Sequence, residues 1–122
     1  MSSIRALTGP WLIALAAIGL PQAAPADDAA PAAAIVSPQR QQALVRIVRQ
    51  DCGSCHGMHL TGGLGPALTP GALADKPLAS LAATVFHGRP GTPMPAWRSL
   101  LSEADAQWIA ERLLAGFPEE AR

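Results

Sequence analysis

The chain has 122 residues, enough for one small domain. Nine basic and nine acidic residues give a formal net charge of zero, so it lacks the basic excess expected of a nucleic-acid binder. Aromatic residues make up 4% with no Tyr, and a domain of about 100 residues buries only about 60–65% of its unfolded surface, so other apolar material is needed to fill a core.

Residues 1–26 read as a secretory signal. Arg5 supplies the positive n-region, Trp11 to Leu20 the apolar h-region, and Ala24-Pro25-Ala26 an A-x-A cleavage site. The h-region is shorter than the roughly 20 residues a membrane span needs. Cleavage before Asp27 and export to the periplasm are therefore expected, with an uncleaved anchor as the alternative. All nine acids but only eight of the nine basic residues lie beyond residue 26, so the mature chain has a net charge of −1. Residues 27–37 are Ala- and Pro-rich without helical or strand period, as in a flexible leader.

The domain proper is expected over residues 38–118. Ser37-Pro38 is an N-cap followed by a first-turn Pro. Ala43, Leu44, Ile47 and Val48 then form one apolar helical face, with Arg40, Arg46 and Arg49 off it. This helix runs into Cys52-Gly53-Ser54-Cys55-His56. Glycines at 57, 62, 63, 65 and 71, with Pro66 and Pro70, make the next stretch a loop, with a short turn at Thr69 to Ala74. A second helix is expected from Pro77 to His87, with Leu78, Leu81, Ala82, Val85 and Phe86 as its stripe and Gly88 closing it. Arg89 to Ala96 holds Pro90, Pro93 and Pro95, which forbid regular structure and stiffen the loop around Met94. The last helix starts at Ser102, whose spacing to Asp105 resembles a capping box. Ala106, Ile109, Ala110 and Leu113 form its stripe, and Gly116 and Pro118 end it. The expected class is all-α, with three main helices.

The C-x-x-C-H pentapeptide uses both cysteines of the chain. This spacing is the attachment signature of a c-type haem. Two thiols two residues apart can add to the two vinyl groups on one porphyrin edge, and the following His is held beneath the iron as an axial ligand. Three other readings compete. A thioredoxin-like pair wants a βαβ context, which is missing. A structural zinc needs four ligands. A Cys52–Cys55 disulfide leaves His56 unexplained. A single covalent haem is the reading that uses all three side chains, and it would enlarge the small apolar core.

His56 occupies one axial position. Candidates for the other are Met58, His59, His87 and Met94. Met58 and His59 follow too closely, because three residues span at most about 10 Å and the chain must round the macrocycle. Met94, fixed between two prolines, is favoured over His87, which ends a helix; an open site is the third arrangement. His/Met ligation raises the reduction potential and fills the iron, so electron transfer is expected rather than catalysis. The other classes are a haem enzyme or a diatomic-gas sensor with a labile Met94. The distal segment offers no carboxylate for acid–base work and only His87 as a possible acid or base.

The order C-x-x-C-H, Gly65-Pro66, Met94 in a Pro-rich loop and a final helix resembles the class I cytochromes c. The resemblance implies that fold, with three main helices around one covalent haem. It also implies that the Pro66 carbonyl receives the hydrogen bond of the ligand His56. The wording of residues 51–58, 62–70 and 87–95 resembles more closely the cytochrome c-55X family of denitrification. That implies electron exchange with cytochrome cd1 nitrite reductase or with the proteins that mature its haem d1.

Overall fold

The computed structural model describes residues 35–119. The signal expected over residues 1–26 and most of the leader lie outside the described residues. All regular structure within them is helical: α1 (Pro38–Ile47), a π-helical turn (Val48–Cys52), α2 (Gly53–His56), α3 (Pro70–Leu73), α4 (Leu78–His87) and α5 (Glu103–Ala115). No helix among the described residues is long and apolar enough to cross a membrane.

Side-chain caps fix where three helices begin. The Ser37 hydroxyl accepts from the Arg40 N–H at 3.2 Å, with Pro38 in the first turn. The same pairing of hydroxyl and proline recurs at Thr69-Pro70 and nucleates α3, so the expected turn is one turn of helix. Ser102 and Asp105 form a complete capping box, each side chain bonded to the other's backbone N–H. At the end of α1 the ladder widens, and Gly53 N–H bonds the Val48 carbonyl five residues back. The chain thus enters the C-x-x-C-H segment through a local change of helical pitch.

The core is built between α1 with its continuation and α5. Leu44 and Val48 from the first meet Ile109 and Leu113 from the second, joined by Leu60, Leu73 and Leu101. Each such side chain contributes about 1.5–3 kcal/mol by leaving water. By contrast α4 has no fully buried residue. Its Leu81 and Val85 pack on the edge of this core and line a cavity instead.

One expectation is corrected here. Arg49, placed off the apolar face by a regular helical period, is buried at 6% exposure. Its guanidinium donates to the carbonyls of Met58, Phe117 and Pro118 and pairs with the Glu119 carboxylate at 3.1 Å. It also lies 5.6 Å over the Phe117 ring. The segment after α5 folds back over this position, so the charge satisfies otherwise unpaired carbonyls instead of facing solvent.

Arg40 ties the starts of α1 and α5 together. Its Nε and Nη2 reach the two Asp105 carboxylate oxygens at 3.2 and 2.8 Å, and Nη2 also reaches the Leu100 carbonyl at 2.9 Å. Burial pushes the Asp105 carboxyl up, but the bonds from Arg40 and Ser102 outweigh it and hold it below its ordinary value. A depressed carboxylate stabilises the fold fully above its unfolded pKa of about 3.9, and that contribution disappears as pH falls through the folded value. Asp105→Ala is therefore expected to cost about 1.5–3 kcal/mol at pH 7, the range for hydrogen bonds to a charged group. Denaturant titrations of both proteins at pH 7 and pH 3 check this: the gap should narrow in acid. An equal gap at both values would assign it to packing.

Candidate functional site

The π-helical turn and α2 set the first wall of the site. Cys52 closes the turn, half-buried, and Cys55 lies exposed one helical turn further on. The Ser54 hydroxyl donates to the Asp51 carbonyl at 2.6 Å and pins the turn between the cysteines. The two thiols are free and not joined to each other. Burial, with the nearby Asp51 charge, pushes the Cys52 thiol up to about 11. Among the described residues no group of three His, Cys, Asp or Glu is placed to hold a metal ion unaided.

His56 ends α2 and is buried at 9% exposure. Its Nδ1 lies 2.6 Å from the Pro66 carbonyl oxygen. A carbonyl only accepts, so Nδ1 carries the proton and Nε2 is left with the free lone pair. The loop that brings Pro66 there is anchored beside the motif. Gly62 N–H bonds the His56 carbonyl and Gly65 N–H bonds the Cys55 carbonyl, both at 2.8 Å. Gly65 lies so close to the imidazole that a Cβ there would stand 2.7 Å from Cε1 and 2.8 Å from Nδ1. Only glycine lets the backbone approach the ring to this distance.

These residues line a cavity of about 800 Å³. Cys52, Cys55, His56 and Pro66 contribute to it from the motif side, and Met94 with Pro93 and Pro95 from the proline-rich loop. The apolar part of the lining comes from both sides of the core: Leu68, Leu73, Leu81, Val85, Trp97 and Ile109. Such a chamber, mostly apolar with two thiols, a pre-oriented imidazole and a thioether in its wall, fits a flat apolar macrocycle with an iron centre. The cofactor's donor set is present in the chemistry it needs.

The remaining candidates fall outside. His87, Met58 and His59 are exposed, and none lines the cavity. Two cations, Lys76 and Arg89, are both exposed and cavity-lining, whereas Arg98 is exposed but does not line it. None of the three is in an ion pair among the described residues. Sequence spacing missed Leu64, which lines the cavity while 93% exposed. No periodicity in a glycine-rich loop could have singled it out.

Comparison with known proteins supports the same chemistry. The family described as "Cytochrome C oxidase, cbb3-type, subunit III" matches residues 39–111. Cytochrome c55X of Stutzerimonas stutzeri is 58% identical over 91 residues, covering 75% of this chain and 76% of the relative. Among solved structures, the c-type cytochrome NirC superposes with a TM-score of 0.65 at 59% identity, over 66% of this chain and 95% of that one. A dihydro-heme d1 dehydrogenase, NirN in complex with DHE, superposes with a TM-score of 0.55 at 34% identity, over 63% of this chain but 16% of that one.

Proposed function

The chain belongs to the cytochrome c55X family of c-type cytochromes, and from that premise we propose that it is an exported, periplasmic carrier of single electrons in denitrification. In this reading Cys52 and Cys55 would hold one haem c covalently, and His56 and Met94 would ligate its iron. Its partner is cytochrome cd1 nitrite reductase or a protein that matures haem d1. The observation that carries the reading is that both cysteines, His56 and Met94 line one and the same cavity. When bound, the haem iron supplies a one-electron couple, whose potential a thioether ligand raises.

The chain's own residues supply the rest. The Pro66 carbonyl fixes the His56 tautomer and makes Nε2 a better donor. The apolar lining keeps water from the couple, which also tunes its potential. Electron transfer is favoured over catalysis because His87, the acid–base candidate of the distal segment, stands outside the cavity. The likeness to the dehydrogenase covers one small part of that protein and supports the haem d1 side of the proposal.

Lys76 and Arg89 place positive charge at the cavity mouth, where a partner must approach for electron transfer. Such charge acts mainly on association rate and is screened by salt, with a Debye length of about 8 Å at physiological ionic strength. Arg89→Glu is expected to slow second-order electron transfer with purified nitrite reductase roughly tenfold at low salt. Arg98→Glu, further from the cavity, should do less, and Arg46→Glu on α1 should do nothing. The gap to wild type should close as salt rises in stopped-flow measurements. Rates equal for all variants and independent of salt would remove this docking surface.

A further inference from the structure

The segment that carries Met94 is a closed, pre-braced loop. Two backbone bonds tie its limbs: Arg98 N–H to the Phe86 carbonyl and Arg89 N–H to the Met94 carbonyl, both at 3.2 Å. Inside that ring the Thr92 side chain is a second brace. Its hydroxyl donates to the Arg89 carbonyl at 2.7 Å and accepts from the Met94 N–H at 3.3 Å. The Thr92 N–H also bonds the Arg89 carbonyl, at 3.1 Å.

Between the two limbs sits Gly88, which is buried. Its φ of 70° and ψ of −167° fall in a region essentially reserved for glycine. A Cβ there would stand 2.6 Å from both Ala96 N and Pro95 C, which are backbone atoms of the opposite limb. The limbs can lie this close only because position 88 has no side chain. Gly91, at the tip, also has a positive φ of 77°, but a Cβ there would meet nothing within 4 Å.

We propose that Gly88 and Thr92 are positioning residues for Met94: the glycine neck sets how far the loop reaches, and the hydroxyl brace fixes the Met94 backbone before any ligand binds. A thioether is a weak ligand, so holding it in place beforehand removes the ordering cost that would otherwise oppose its bond to iron. This inference rests on Met94 being the distal ligand, as proposed above.

The test uses the haem-loaded full chain and four variants. Gly88→Ala is expected to remove the charge-transfer band of Met-ligated ferric haem, lower the midpoint potential and admit carbon monoxide to the reduced protein. Thr92→Val keeps the shape but deletes both hydroxyl bonds. It should raise the open-iron fraction about fivefold, the factor equivalent to one net hydrogen bond of about 1 kcal/mol. Gly91→Ala, strained but unobstructed, should keep band and potential. Met94→Ala calibrates the fully open state. If Gly88→Ala does not load haem, Thr92→Val decides, because nothing bulky is introduced. Wild-type spectra and potentials in Thr92→Val, and in Gly88→Ala where it loads, would overturn the inference. If Met94→Ala itself kept the band, the ligand assignment would have failed instead.

Discussion

Protein carrying Cys52→Ala together with Cys55→Ala is expected to hold no haem after denaturation and acid–acetone extraction, while wild type retains it. The expectation follows from chemistry and from packing. A thioether survives unfolding because it is covalent, whereas an iron–imidazole bond does not. The chain contains no third cysteine to substitute. The effect should extend to the fold. Among the described residues the buried hydrophobic core consists of ten side chains, four of them from α5 and none from α4. Leu68, Leu81, Val85 and Trp97 are half-buried around the cavity and depend on what fills it for the rest of their burial. Far-UV circular dichroism of the double variant should therefore show lost helix as well as lost cofactor. Haem that extracts freely from wild type would contradict covalent attachment.

Met94→Ala is expected to open the iron. The charge-transfer band of Met-ligated ferric haem should vanish, the potential should fall, and carbon monoxide should bind the reduced protein. Met94 lines the same cavity as His56, and the loop around it is closed by its own backbone bonds. Its loss leaves no replacement at hand, because the exposed His87, Met58 and His59 do not line the cavity. His87→Ala should accordingly leave the spectrum intact. A band that persists in Met94→Ala would pass the ligand role to another residue.

The caps show how much local chemistry the sequence carries. Ser37-Pro38 and Ser102 with Asp105 could be read as helix starts because each places a side-chain oxygen where an N–H needs one. The stripe Ala106, Ile109, Ala110 and Leu113 is buried as its spacing predicts. The two cysteines, His56 and the proline-flanked Met94 were singled out by motif and loop, and they line one cavity; their roles toward a haem are what the variants above test. Arg49 was not, because its burial depends on Phe117 and Pro118, nearly 70 positions away in the chain, folding back over it. Leu60 was not either. It sits in a glycine-rich loop at φ 60°, yet is 2% exposed in the core. Its placement comes with a turn bond, Leu60 N–H to the Gly57 carbonyl, and a bond across the same loop, Leu68 N–H to the Leu60 carbonyl. No local period marks such a residue. The stripe of α4 was legible as apolar, but not its division: α4 packs against α5, and of the stripe only Leu81 and Val85 also line the cavity, which a pattern of side chains alone does not distinguish.

The central claim is that His56 and Met94 fill the axial positions of one covalent haem in an electron carrier. Optical spectra of the haem-loaded mature protein, oxidised and reduced, with and without carbon monoxide, test it most directly. The account predicts the Met-ligated charge-transfer band in the oxidised form and a reduced spectrum unchanged by carbon monoxide. A missing band together with rapid carbon monoxide binding by the wild-type protein would contradict it and favour a haem enzyme or a gas sensor.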